Sequence, residues 1–100
     1  MKESAIESRL VRMVREHGGL CYKFVSPGSP GVPDRLIITP DGRTVFVELK
    51  TEIGRLSEIQ KWQTGEMRKR GADVRVVRGL DEVKSLVAEV FTAQEGGDAR

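Results

Sequence analysis

The chain of 100 residues holds one cysteine, one histidine, one tryptophan and one tyrosine. A lone thiol, Cys21, excludes a disulfide framework and leaves no basis for a zinc cluster. It reads as a small buried hydrophobe. A lone imidazole, His17, leaves out chemistries that need a histidine pair or a Cys/His dyad. No apolar run comes near the ~20 residues that a membrane-crossing helix requires. Met1-Lys2-Glu3-Ser4 leads straight into a helical pattern, so no signal peptide is expected, and a reducing cytoplasm is the expected setting.

What is present is an ordinary globular composition, 38% apolar and 32% charged, with a net charge of +2. That charge is compatible with nucleic acid without demonstrating it. One domain is expected. A chain of this length buries roughly 60–65% of its unfolded surface, enough for one core without metal or disulfide staples. There is no internal repeat.

Residues 44–50 read Thr-Val-Phe-Val-Glu-Leu-Lys. Apolar residues alternate with others, the period of a β-strand, so Val45, Val47 and Leu49 share one face and Thr44, Phe46, Glu48 and Lys50 the other. Glu48 and Lys50 then stand side by side, their Cα atoms roughly 7 Å apart. A carboxylate and an ammonium on the face of a buried strand are costly unless something uses them.

The remaining elements follow from periodicity and turn chemistry. Residues 4–17 form an amphipathic helix through Ile6, Leu10, Met13, Val14 and His17, with Ser4 and Glu7 as a capping box. Gly18-Gly19 ends it, and 20–25 is a short strand. Residues 26–33 hold three prolines and two glycines, which makes them a loop. A second strand spans 34–39. Pro40-Asp41-Gly42 turns the chain into the strand at 44–50, giving a hairpin. Ser57 and Gln60 form a second capping box, opening a helix to about Arg70. A fourth strand spans 72–78 and a last amphipathic helix 80–91, through Val83, Leu86, Val87, Val90 and Phe91. Residues 96–100, with Gly96 and Gly97, read as a disordered tail beyond a domain at 1–95. The expected fold is a three-layer α/β/α domain, order αβββαβα, with a mixed central sheet.

The hairpin brings Asp34, at the start of one arm, beside Glu48 and Lys50, at the end of the other. Two neighbouring carboxylates repel without a cation. Mg²⁺, with Mn²⁺ as substitute, removes the repulsion, takes hard oxygen ligands and bridges to phosphate. The Leu49 carbonyl offers a further ligand. Lys50 is placed to orient a water or steady charge on a phosphate. The reaction that uses this set is phosphodiester hydrolysis.

Gly31-Val32-Pro33-Asp34, Val47-Glu48-Leu49-Lys50, and Leu56-Ser57 followed by Gln60 resemble the PD-(D/E)XK nuclease superfamily, and within it the VRR-NUC group. The resemblance runs from Glu7 to about Val77. It implies a restriction-endonuclease-like fold, Asp34 and Glu48 as metal ligands, and Lys50 as the catalytic lysine. It also implies Gln60 as a supporting residue and Glu7 as an acid reaching the metal from the first helix. Stand-alone members of this size resemble homodimeric Holliday junction resolvases of bacteria and phage. The expected activity is therefore Mg²⁺-dependent endonucleolytic cleavage of branched DNA by a homodimer. The rivals are the same chemistry on flaps, nicks or duplex sites, and a non-catalytic DNA-binding module.

Each residue also has a plainer reading. Asp34 would cap a turn after proline, and Glu48 with Lys50 would be a solvated ion pair worth little. The capping boxes would account for Gln60 and Glu7. Candidate DNA contacts are Tyr22 and Lys23 on the first strand, Ser26 and Ser29 in the loop, and Arg35, Arg55 and Lys61 near the motif. For Tyr22 and Lys23 the competing role is packing and solvent. The other cations, Arg78 among them, read as solvated surface. Trp62 reads as a core or interface anchor. The last helix is the most apolar candidate for pairing subunits, with core packing as an equal explanation.

Overall fold

The computed structural model describes residues 1–98, with side chains in the last helix described as far as Phe91. The elements are α1 (Glu3–Glu16), β1 (Leu20–Lys23), β2 (Arg35–Ile38), β3 (Thr44–Lys50), α2 (Glu58–Lys69), β4 (Val74–Arg78) and α3 (Gly79–Asp98). The order matches the one expected from periodicity. Thr44–Lys50 coincides with the predicted strand, the start at Leu20 and the end at Arg78 also hold, and the remaining boundaries move by one to seven residues. The expected tail overlaps the end of α3 at residues 96–98, and residues 99 and 100 lie outside the described residues. Among the described residues no helix is long and apolar enough to cross a membrane.

The four strands form one sheet in the order β1-β2-β3-β4. β1, β2 and β3 pair antiparallel as two successive hairpins, and β4 joins β3 in parallel after the α2 crossover. The tight turn between β2 and β3 closes as its Pro-Asp-Gly sequence requires. The Gly42 N–H donates to the Thr39 carbonyl at 2.9 Å, and the Arg43 N–H donates to the Thr39 hydroxyl at 2.9 Å.

The alternation of β3 decides the layers. Val45, Val47 and Leu49 are fully buried, and they share their core with Ile6, Leu10 and Val14 of α1 and with Val83, Leu86, Val87, Val90 and Phe91 of α3. The four-residue spacing of Ile6, Leu10 and Val14 puts one stripe of α1 on the sheet. α1 and α3 therefore share one face. The apolar side of α3 is consumed by the core, at least as far as Phe91, so those residues offer no surface for a partner. Cys21 is buried as expected. The opposite face carries Phe46, Glu48 and Lys50 beneath α2. Only Thr64 of that helix is buried, which leaves the layer thin and polar. Trp62 is 58% exposed, so it does not anchor the core.

The Ser4–Glu7 capping box does not form. The N-cap lies two residues before the expected one, at an extended Lys2, with no side-chain cap and Glu3 in the first turn. An acid in the first turn complements the positive end of the helix dipole, so the earlier start is favourable. Ser4 thus lies inside α1, and its carbonyl accepts from the Ser8 hydroxyl at 3.0 Å. Glu7 is left free for a tertiary contact. The Ser57–Gln60 box does form, with both reciprocal bonds present.

The loop before β2 is fastened to α2. Gln63 Nε2 donates to the Pro30 carbonyl at 3.2 Å. Gly31 has φ +89°, and a Cβ there would lie 2.9 Å from the backbone and side chain of Ile59. Gly42 has the same φ with nothing near it. Gly42→Ala is therefore expected to cost only the left-handed backbone penalty, about 1–2 kcal/mol. Gly31→Ala should cost measurably more in chemical denaturation, because α2 must also shift. Equal losses in the two variants would show that the loop does not bear on α2.

Candidate active site

The β2–β3 register opposes Arg35 to Val47 and Leu36 to Phe46. One step outward, position 34 faces position 48. The chain enters β2 from a loop whose last proline, Pro33, is fully buried, so Asp34 arrives on a fixed backbone. Its carboxylate reaches across the hairpin and accepts the Leu49 N–H at 3.2 Å. Leu49 itself is buried in the core on the far face.

Glu48 is 5% exposed, although it is a carboxylate in the middle of the molecule. Two groups answer it. Gln60 Nε2 donates to Glu48 Oε2 at 3.3 Å, and the Lys50 ammonium lies 3.9 Å from the same oxygen. Gln60 is held at its other end, where its Oε1 accepts the Ser57 N–H at 2.9 Å. The capping role and the supporting role are thus two ends of one amide, and neither reading of Gln60 displaces the other.

Burial pushes the Glu48 carboxyl from its ordinary 4.5 to about 7; the Asp34 charge adds to the rise and Lys50 opposes it. Asp34 is also raised, by burial first, while the Leu49 amide pulls the other way and the charges of Glu7 and Glu3 add to the rise. The two acids repel one another in a poorly solvated corner, and one nearby ammonium does not offset both effects.

Of the four predicted catalytic residues, the fold brings Asp34, Glu48, Lys50 and Gln60 together. Glu7, predicted as a further metal ligand, is ion-paired with Arg35. The register explains this. Arg35 and Val47 are partners in the row that faces α1, so the Arg35 guanidinium meets Glu7 on that helix. Arg35 is thereby largely covered rather than held open for a DNA backbone. Among the described residues no three His, Cys, Asp or Glu side chains gather as a metal cluster, so the oxygen set at the strand ends is a pair of acids.

The expected DNA contacts divide by face. Tyr22 pairs with Leu36, which pairs with Phe46, and so lies on the face of Glu48; Lys23 pairs with Arg35 on the α1 face. Ser26 and Ser29 close a turn in the loop, the Ser29 N–H donating to the Ser26 carbonyl at 3.1 Å. Arg55 and Lys61 line a cleft beyond the end of β3 together with Arg78. Arg78 was read as solvated surface. The missing signal is the parallel pairing: Lys50 ends β3, Arg78 ends β4, and the two are register partners.

A small mixed α/β domain with an Asp and a Glu-x-Lys converging at the end of its central hairpin defines the PD-(D/E)XK class of nuclease folds. Among solved structures, a chain described as "VRR_NUC domain" superposes with a TM-score of 0.81 at 34% identity, over 85% of this chain and 92% of that one. A second, described as "VRR_NUC domain protein", has a TM-score of 0.71 over 89% and 87% of the two chains; at 16% identity it speaks for the fold alone. A curated relative from Acyrthosiphon pisum secondary endosymbiont phage 1, named "Putative nuclease p44", is 56% identical over 50 residues. That match takes in 50% of this chain and 54% of the relative, so the chain spans about half the length of the curated protein it matches. No family model matches the chain. The chain belongs to the VRR-NUC family.

The raised Glu48 carboxyl has a direct consequence for stability. The native state keeps a proton there that the unfolded chain releases, so this contribution is fully present below the ordinary value and is lost as pH rises through about 7. In a chelating buffer, thermal melts of the wild type should fall relative to Glu48→Gln between about pH 4.5 and 7, by on the order of 3 kcal/mol. Parallel pH profiles for the two proteins would show that Glu48 is not held in a desolvated, anion-repelling site.

Proposed function

We propose that this chain is a divalent-metal-dependent endodeoxyribonuclease that hydrolyses phosphodiester bonds in branched DNA, with four-way junctions as its principal substrate. The observation that carries the reading is the buried Glu48, which shares one corner with Asp34, Lys50 and Gln60. A structural module gains nothing from paired acids there, and their raised pKa values describe a donor set short of a cation.

The residues fit a hard divalent ion. Asp34 and Glu48 would hold Mg²⁺ or Mn²⁺ by carboxylate oxygens, with the Leu49 carbonyl as a further donor. Such an ion supplies charge neutralisation at the phosphate and acidifies a water. The chain's own residues set the geometry. The Leu49 N–H fixes one Asp34 oxygen across the hairpin, and Gln60 fixes one Glu48 oxygen from α2. Lys50 brings a positive charge within 3.9 Å of Glu48. Its ammonium orients the attacking water and stabilises charge accumulating on the phosphate oxygens. Lys50 is half-buried, so that charge acts with less screening than a surface lysine.

A domain with one such corner cuts one strand. Two copies related by a two-fold axis would present two corners to a four-way junction, which has matching symmetry, and this supports a homodimer. The resemblance of stand-alone family members to junction resolvases points the same way.

Labelled four-way junctions, flaps, nicks and duplexes in Mg²⁺, with a chelator control, test the reading. Junction cleavage that chelation abolishes is expected. Asp34→Ala and Glu48→Ala should each lower the rate by at least ~10²-fold while junction binding stays within a few-fold. Lys50→Ala should lower the rate similarly and keep a Mg²⁺-dependent rise in melting temperature. At a hundred times its dissociation constant the ion would add about 2.7 kcal/mol to the wild type, a gain that Glu48→Ala should lose. Wild-type cleavage by Lys50→Ala would remove the lysine from the mechanism. Cleavage confined to flaps or nicks would replace the junction as substrate.

A further inference from the structure

Beyond the corner of acids, the carboxyl ends of the two parallel strands open into a cleft of about 580 Å³. Ligand sites in sheets with parallel strands lie outside the carboxyl ends of those strands, where the connections diverge. The cleft is lined by the connector after β3, by Lys61 in the first turns of α2 and by Arg78 at the end of β4. Its charge is one-sided. Arg55, Lys61 and Arg78 are cations, and the one acid in its lining is Glu52, whose side chain is exposed and lies 3.9 Å from the N-terminal amine.

Arg78 is the built part of this cleft. Its Nε donates to the Gly54 carbonyl at 2.9 Å, which fixes the guanidinium plane against the connector. Its backbone N–H is taken by Glu82 at 2.8 Å. Among the described residues neither Arg78 nor Arg55 has a carboxylate partner for its guanidinium, whereas Arg35, Arg43 and Arg75 each have one. Lys61 meets Glu58 at 3.2 Å in an exposed pair that solvent makes weak. An oriented guanidinium whose terminal nitrogens have no partner among the described residues is suited to a tetrahedral anion, since its fork matches phosphate oxygens in pairs.

The geometry points to this cleft as the site of a second, uncleaved phosphate on the DNA strand being cut, with Arg78 as its principal contact and Arg55 and Lys61 beside it. This rests on the nuclease reading for the identity of the ligand. Lys50 and Arg78 are register partners on the same face. Neighbouring strands lie only ~4.8 Å apart, so one strand of nucleic acid can engage both side chains at once. Arg78 is a positioning residue: it holds the strand in register so that the neighbouring phosphate reaches Lys50 and the acids. A free phosphate offers the same chemistry, but the cleft is open along the strand ends and suits a chain passing through.

The test pairs salt-dependent binding with a neutral backbone probe. Binding of a labelled junction to the full chain in chelating buffer should weaken about tenfold in Arg78→Gln, and the log–log salt slope should become shallower by about 0.9, the release expected from one phosphate. Arg78→Lys, which keeps the charge but loses the bond to Gly54, should retain the slope. Junctions carrying one methylphosphonate at successive positions should identify a single uncleaved site where neutralisation costs the wild type as much as Arg78→Gln does. Combining the two should cost no more than either alone. Inorganic phosphate at millimolar concentration should leave junction binding unchanged; competition that Arg78→Gln abolishes would reassign the cleft to free phosphate. An unchanged slope in Arg78→Gln, or additive losses in the combined case, overturns the proposal. If the wild type cleaves DNA and the slope is unchanged, the cleft assignment fails alone. If it binds with the predicted slope change but cuts nothing, the nuclease reading fails alone. If it binds no DNA, both fall.

Discussion

Glu48 is a carboxylate on a central strand of a small domain, buried almost as completely as Val47 and Leu49 on either side of it. Burying a carboxylate costs far more than burying an alkyl chain unless partners answer it. Three features of the architecture act on that one group. The β2–β3 register sets Asp34 against it, the alternation of β3 sets Lys50 beside it, and the start of α2 delivers Gln60 to it. None of the three fully offsets the burial, and Asp34 makes it worse. The molecule keeps a corner that costs folding free energy when empty, which is a common property of sites built to hold charge that arrives with a substrate or ion.

The two faces of the sheet divide the labour. One face carries the core, where α1 and α3 bury valines, leucines and a phenylalanine against Val45, Val47 and Leu49. The other is covered thinly by a polar helix, and that is where Asp34, Glu48, Lys50 and Gln60 meet. A thick apolar layer there would stabilise the fold and shut out a polymer such as DNA. The exposed Trp62 and Ile59 on α2 belong to the same compromise.

Much of this was legible in the chain itself. Strict alternation over seven residues fixed β3 to the residue, and the turn chemistry of Pro40-Asp41-Gly42 fixed its partner. The pair of strands then brought Asp34 to Glu48 with no further information. What escaped the reading depended on contacts between elements distant in sequence. The cap at Ser4 failed because the helix could begin earlier, on Glu3, which favours a first turn. That left Glu7 to Arg35, a pairing visible only once the sheet register places Arg35 on the α1 face. Arg78 was one cation among many until the parallel β3–β4 pairing set it next to Lys50. The core half of the Trp62 reading failed because an aromatic in an amphipathic helix usually packs, and α2 buries only Thr64.

The double attachment of Gln60 joins two events that are separate in most proteins. Its oxygen closes the first turn of α2 and its nitrogen restrains the acid. Unwinding of that turn therefore also unlatches Glu48, and the helix end and the carboxylate move as one cooperative unit. Anything that presses on the exposed start of α2 is felt at Glu48 through a single amide.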